Sequence, residues 1–272
     1  MNFFSVMFMA FSFVFPSFCS SISLPSTKCK GIDIYYDSRF MDNVGYNNHH
    51  SSSNGELSVI KKLIKDGDVV FDIGASRGDW SAYVFSNHNF VSLYAFEPIP
   101  NVYELLEKSF RNKNGLAYNL AFSNHIGERL FYYYADNYAH SRLSGFYDRK
   151  ILKKRFRSKP EEIVVHVDTL DNFCFKNGIN KIDFLKIDTE GEELNVLKGA
   201  SDLLANKAIS IMQFEYGGCY IDSKSTLYEV YNLLLEYGYF IFRIIPKGLL
   251  EISNWRDELE NYKYSNYLAV AS

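Results

Sequence analysis

The stretch "VVFDIGASRGDWSA" at 69–82 decides the fold. An apolar run, "DVVF" at 68–71, carries the pattern of a strand buried on both faces. Gly74 and Gly78 bracket a turn, and "DWSAYVFSN" at 79–87 then begins a helix. A strand, a glycine turn and a helix in that order form the first unit of a nucleotide-binding α/β sheet. A dinucleotide fingerprint would place glycines at 74, 76 and 79, but this chain has Ser76 and Asp79 at the last two. The second of those glycines lets backbone approach a pyrophosphate, so its absence argues for a ligand without one.

Working outward, strands and helices alternate from residue 56 onward. "ELSVIKKLIKDG" at 56–67 is an amphipathic helix with Gly67 just beyond its end. Strand "SLYAFEP", helix "NVYELLEKSFRN" and strand "LAYNLAFS" follow between 92 and 123, with Asn101 and Glu104 spaced as a capping pair. Residues 128–168 interrupt the rhythm and read as an insertion holding two strands, "ERLFYYYA" and "EEIVVHV". The alternation resumes with helix "DTLDNFCFKNG", strand "DFLKIDT", helix "EELNVLKGASDLLAN", strand "ISIMQFEY" and helix "TLYEVYNLLLEYG". In the last helix Leu227, Val230, Tyr231 and Leu234 share one face. Strands "YFIFRIIP" and "NYLAVAS" close the chain. This pattern predicts a single doubly wound, mostly parallel sheet with helices on both faces, over 56–272.

Composition narrows the partners. The 272 residues are 47% apolar with a net charge of −3, which supports a sizeable core and gives no global basic excess for nucleic acid. Four cysteines without a CxxC pair or a histidine at ligand spacing argue against structural zinc and a disulfide scaffold. A reduced compartment fits them, and no metal is expected. Residues 1–24 contain no charged side chain and have three readings: a membrane anchor, a secretory signal without its basic start, or an unused start of translation. With Lys28 and Lys30 as the first cations, an anchor would leave the rest of the chain on the cytoplasmic side. Residues 25–55 read as a flexible lead-in, and His49 and His50 within it as solvated.

Glu97 ends the second strand, 23 positions after Gly74, where an acid can accept both ribose hydroxyls. Asp72, at the end of the first strand, either pins the glycine turn or meets an ammonium. A nucleoside with an amino-acid tail and no phosphate satisfies these features together, which describes S-adenosylmethionine. The stretch "KIDFLKIDTEGEELNVLKGA" at 181–200, with "VVFDIGASRGDWSA" and "YAFEPIPNVYELL", resembles the FkbM family of S-adenosylmethionine-dependent methyltransferases. The resemblance covers about residues 56–245. That family usually has Asn where this chain has Ser76, and both side chains can hydrogen-bond. The resemblance assigns Asp72, Gly74, Ala75 and Gly78 to the methionine part, Glu97 to the ribose, and Asn119 and Ala121 to the adenine edge, with Ser76 a further cofactor-binding residue. It also implies an acceptor hydroxyl on a sugar, glycan or lipid-linked molecule.

Methyl transfer to a hydroxyl needs in-line alignment and a base for the proton. Asp188, Glu190 and Glu215 lie at the ends of the next two strands and are the base candidates. Thr189 and Glu192 have capping-box spacing, while Gly191 in the first helical turn signals a close backbone approach. Lys186 inside a strand requires a charged partner and is expected in a structural ion pair. The run "RKILKKRFRSK" at 149–159, with seven basic residues, reads as a solvated face or as a contact for acidic acceptors or anionic lipid. His140 and His166 flank it and read as loop and strand residues. An NAD-dependent oxidoreductase and a membrane-attached binding protein without catalysis are the rival functions.

Overall fold

The computed structural model of the chain describes residues 28–29, 32–35, 49–135, 141–150, 152, 154 and 159–272. Residues 1–24, His140 and much of the basic run after Lys150 lie outside the described residues. Among those described, no helix is long and apolar enough to cross a membrane.

The chain opens with two short strands, β1 (Lys28–Cys29) and β2 (Ile32–Tyr35). Part of the segment read as lead-in is therefore strand. Ile32 and Ile34 alternate inward, and β2 pairs in parallel with a C-terminal strand through Ile34↔Leu249 and Tyr35↔Leu250. Helix α1 (Glu56–Leu63) precedes strand β3 (Val69–Ile73), helix α2 (Asp79–Asn87), strand β4 (Ser92–Phe96), helix α3 (Pro100–Ser109) and strand β5 (Gly115–Tyr118). The chain then leaves the large sheet for β6 (Ala121–Phe122), β7 (Gly127–Tyr133) and β8 (Glu161–Asp168), which make a second sheet in the order β6-β8-β7. It returns through α4 (Leu170–Asn177), β9 (Ile182–Ile187), α5 (Glu193–Lys198), α6 (Ser201–Ala205), β10 (Ile209–Tyr216), α7 (Cys219–Ser223) and α8 (Leu227–Glu236). Strands β11 (Tyr239–Ile245), β12 (Gly248–Glu251) and β13 (Ser265–Ala271) complete it.

The ten-stranded sheet runs β1-β2-β12-β11-β13-β10-β9-β3-β4-β5. Its segment β10-β9-β3-β4-β5 is parallel, while β13 is antiparallel to both β10 and β11. Strand parity divides the core between the two faces. Phe71, Ile73, Leu185, Ile187, Met212 and Phe214 point to one face, and Val70, Phe184, Ile211 and Leu268 to the other. Helix α8 covers the first face with Leu227, Val230, Tyr231 and Leu234, as its periodicity predicts. Its start is a complete capping box between Thr226 and Glu229. Phe122 of β6 packs edge-on against Phe96 and Phe173, which ties the second sheet to the first.

Three local expectations are corrected. The helix expected to start at Asn101 starts at Pro100, with Ile99 as N-cap and no side-chain cap; a proline's fixed φ suits the first helical position. "LAYNLAFS" is not one strand, because Asn119 Nδ2 donates to the carbonyls of Glu97 and Pro98 and turns the chain between β5 and β6. The helix expected over 192–206 breaks into α5 and α6 around Gly199, whose Cα packs against the Ser123 carbonyl so closely that a Cβ would overlap it.

Candidate functional site

The first turn sits at the carboxyl edge of the parallel strands, where such sheets bind ligands. Gly74 has φ 77°, and a Cβ there would overlap the carbonyl oxygen of Asp188, so the glycine turn leans directly on the loop after β9. The Gly74 and Ala75 N–H groups both donate to the Phe96 carbonyl. Ser76, itself left-handed at φ 50°, donates its N–H to Glu97 Oε2 at 3.0 Å, and Ile99 N–H reaches Oε1 at 2.9 Å. Burial raises the Glu97 carboxyl to about 7 despite those two donors. Gly78, at φ 89°, gives the close packing of α2 on α3: a Cβ would lie 2.9 Å from Leu106 Cδ1 and Ser109 Oγ.

A cleft with about 560 Å³ of space, its open mouth included, runs from this turn across the strand ends. Of the residues expected from sequence, Gly74, Ser76, Glu97, Ala121, Asp188 and Glu190 line it. Asp72, Ala75, Gly78, Asn119 and Glu215 do not. Ala75, Gly78 and Asn119 shape the turns behind it. Pro98, Ile99, Val102, Leu120 and Phe122 form an apolar stretch beside Glu97. An acid placed for hydroxyl donors next to an apolar slot suits a nucleoside, so these residues fit S-adenosylmethionine, which Glu97 would hold by the ribose, the slot by the base, and Gly74 and Ser76 toward the tail. Sequence reasoning missed the far wall, where Phe131, Ser141, Arg142, Ser144 and Phe146 come from the insertion. No motif marks them; the sequence shows only that they fall in the interrupting segment.

Asp72 is fully buried, and strand register explains why. Asp72 of β3, Lys186 of β9 and Gln213 of β10 are consecutive cross-strand partners on the same sheet face. Lys186 Nζ lies 3.2 Å from both Asp72 Oδ1 and Asp188 Oδ2, and Ser81 Oγ donates to Asp72 Oδ2 at 2.6 Å. Gln213 donates to Glu56 of α1 at 2.6 Å. Two carboxylates, with Glu56 further off, raise the Lys186 ammonium above its ordinary range against the opposing effect of burial. The expected structural ion pair is a bridge that ties the strand under the glycine turn to the acidic loop.

That loop, "DTEGEE", contains two successive left-handed residues, Glu190 at φ 56° and Gly191 at φ 110°. Glu193, not Glu192, closes its capping interaction: its carboxylate accepts from Thr189 N–H at 2.8 Å, Thr189 Oγ1 at 2.9 Å and Gly191 N–H at 3.0 Å. Glu192 instead points toward the second sheet, where Ser123 Oγ after β6 and Arg129 Nη1 and Tyr147 Oη of the insertion each donate at 2.6 Å. Gly191 meets α7, since a Cβ would lie 3.0 Å from the Cys219 carbonyl. The first residue of the basic run, Arg149, is buried and donates through Nη1 to Glu190 Oε2. This part of the run is thus no solvated face. Burial pushes Glu190 and Glu193 up to about 7 and raises Glu215 further, with the charges of Asp188, Glu190 and Glu193 adding to the last. Cys174 and Cys219 are buried free thiols. His166 is on the exposed side of β8, 3.4 Å from Glu128, and His49 packs its ring 4.2 Å from that of Tyr264.

Residues 72–241 match the model of the methyltransferase FkbM domain. The 31-O-demethyl-FK506 methyltransferase FkbM of Streptomyces tacrolimicus is 29% identical over 163 residues, covering 51% of this chain and 62% of the relative. Methyltransferase sdnD of Sordaria araneosa is 25% identical over 156 residues, covering 49% and 60%. Both alignments thus span less than two thirds of the relative's length. The crystal structure of methyltransferase FkbM from Methylobacillus flagellatus KT aligns at TM-score 0.50 and 15% identity, over 82% of this chain and 48% of that one, a likeness of fold. With its parallel sheet, its glycine turn facing Glu97 and its D-T-E-G-E-E loop, the chain belongs to the FkbM family of S-adenosylmethionine-dependent methyltransferases.

Proposed function

We propose that the protein transfers the methyl group of S-adenosylmethionine to a hydroxyl of a sugar, glycan or lipid-linked acceptor. The observation that carries this reading is the continuity of one cleft, which Gly74, Ser76 and Glu97 line at one end and Asp188 and Glu190 at the other. The relative from Streptomyces tacrolimicus is named for an O-demethyl acceptor, which supports a hydroxyl as nucleophile. S-adenosylmethionine supplies, when bound, a methyl group on a positively charged sulfur. The chain's own residues align the acceptor, exclude water and take its proton. Glu190 is the base: it lines the cleft, one of its oxygens is held by Arg149, and its carboxyl, at about 7, is matched to neutral operation. Asp188 also lines the cleft, but Lys186 engages it, which suits it to orienting the acceptor. Glu215 supports the pair from β10. Demand for a cytoplasmic cofactor favours the cytoplasmic side, with residues 1–24 as a membrane contact.

The test is to incubate the protein with S-adenosylmethionine and a pool of glycans and glycolipids and to measure S-adenosylhomocysteine release. Acceptor-dependent release supports the reading. Cofactor binding without release from any hydroxyl-bearing pool would overturn it and favour a binding protein.

A further inference from the structure

Arg149 sits at the end of the segment 141–150, which the bridge between Tyr132 and Gly145 holds against β7. It is the first residue of a basic run, yet its side chain is buried, and its guanidinium spans two acids. Nη1 donates to Glu190 Oε2, and Nε lies 3.9 Å from Asp222 Oδ2 of α7. Glu190 needs such a partner because acidic groups crowd it. Asp188 faces it from its own loop. Glu215 faces it from β10, and Cys219 from α7; a carboxylate oxygen of Glu190, one of Glu215 and the Cys219 Sγ lie within 4.8 Å of one another. Tyr264 faces Glu215 from the start of β13. Among the described residues, Arg149 and then Arg142 act on Glu190 as cations, both from the segment 141–150.

We propose that Arg149 is a positioning residue of the methyl-transfer site: its guanidinium fixes one oxygen of Glu190, leaves the other for the acceptor, and supplies the positive charge that keeps this carboxylate able to take a proton. The inference rests on Glu190 being the base. Geometry explains why an arginine does this. Glu190, with its left-handed backbone, lines the cleft, and a planar fork donates to Glu190 while its Nε approaches Asp222, whereas an ammonium would keep the charge on Glu190 alone. Removing the guanidinium leaves a buried carboxylate beside Asp188 and Glu215 without its main opposite charge, and its proton affinity then rises.

The test reads Glu190 directly and needs no acceptor. Protein labelled with ¹³C at the glutamate side-chain carboxyl is titrated by NMR, with the Glu190 signal assigned by its loss in Glu190→Gln. The Glu190 midpoint is expected to move upward by at least about one pH unit, a tenfold change in proton affinity, in Arg149→Ala. Arg149→Gln keeps a donor but no charge and moves it the same way, whereas Arg149→Lys restores most of the original midpoint. Should Arg149→Ala not fold, the Gln and Lys variants decide. A midpoint left in place by the loss of charge, or not restored by lysine, overturns the proposal. Because S-adenosylhomocysteine release is measured separately, a failure of this positioning role is distinguishable from failure of the hydroxyl-transfer reading.

Discussion

Replacing Lys186 by methionine tests the buried bridge beneath the site. The side chain is 6% exposed and contacts the fully buried Asp72 and the partly exposed Asp188, 3.2 Å from each. Methionine fills most of the lysine stem, so the change in packing is small. What is lost is charge compensation: Asp72 keeps the Ser81 hydroxyl and loses its ammonium. Breaking a buried pair from one side costs about 3–5 kcal/mol, because the remaining charge has no counterpart. Asp188 can turn toward water, so most of that cost belongs to Asp72. Urea unfolding of the wild type, Lys186→Met, Asp72→Asn and the double variant forms a cycle that isolates this term. Lys186→Met is expected to be destabilised by about 3 kcal/mol or more, and the double variant to recover at least about half of it. A single variant within about 1 kcal/mol of wild type, or strict additivity in the cycle, refutes the reasoning.

Glu97→Ala should abolish measurable S-adenosylmethionine binding in calorimetry, since it removes both the proposed ribose acceptor and the anchor for Ser76; unchanged affinity removes Glu97 from the site. Asp188→Asn should retain cofactor binding and lose turnover in the S-adenosylhomocysteine assay, and normal turnover would exclude Asp188 from the mechanism. Gly199→Ala should lower stability by about 2 kcal/mol or more in urea, as its Cβ meets the Ser123 backbone; a neutral result would show that β6 yields at no cost. Glu97 and Glu193 have folded-state values of about 7, raised by burial from 4.5. Their protonated forms therefore favour the folded state, fully below about pH 4.5, and this contribution is lost as pH rises through 7. Each pH unit inside that window is worth about 1.4 kcal/mol per group. Glu97→Gln should flatten the stability profile between pH 5 and 7, and a profile as steep as wild type would contradict the assignment.

The parallel core was legible because its strands are continuous apolar runs and its turns carry glycine, which are local signals. So were the glycine turn and the acids at the strand tips, because strand ends fix which residues reach the rim. Long-range partners were not legible. The spacing of Thr189 and Glu192 has the form of a capping box, but Glu192 lies 63 positions from Arg129 and 45 from Tyr147, and only the docked insertion reveals that it faces them. Arg149 looked solvated for the same reason: composition assigns a charge run to the surface, whereas its burial depends on the acids of a loop some forty residues away. Lys186 was a middle case. Its strand position demanded a partner, and the register with Asp72 then supplied it.

The contact between Gly74 and the Asp188 carbonyl has a consequence for engineering. The glycine turn and the acidic loop share a wall only one backbone thick, so a mutation that enlarges either displaces the other. New acceptor specificities should therefore be sought at Ser141, Ser144 and Phe146, which border the cavity from the far side, while Gly145, packed against Thr189 and Glu190, and Arg142, which acts on Glu190, are kept.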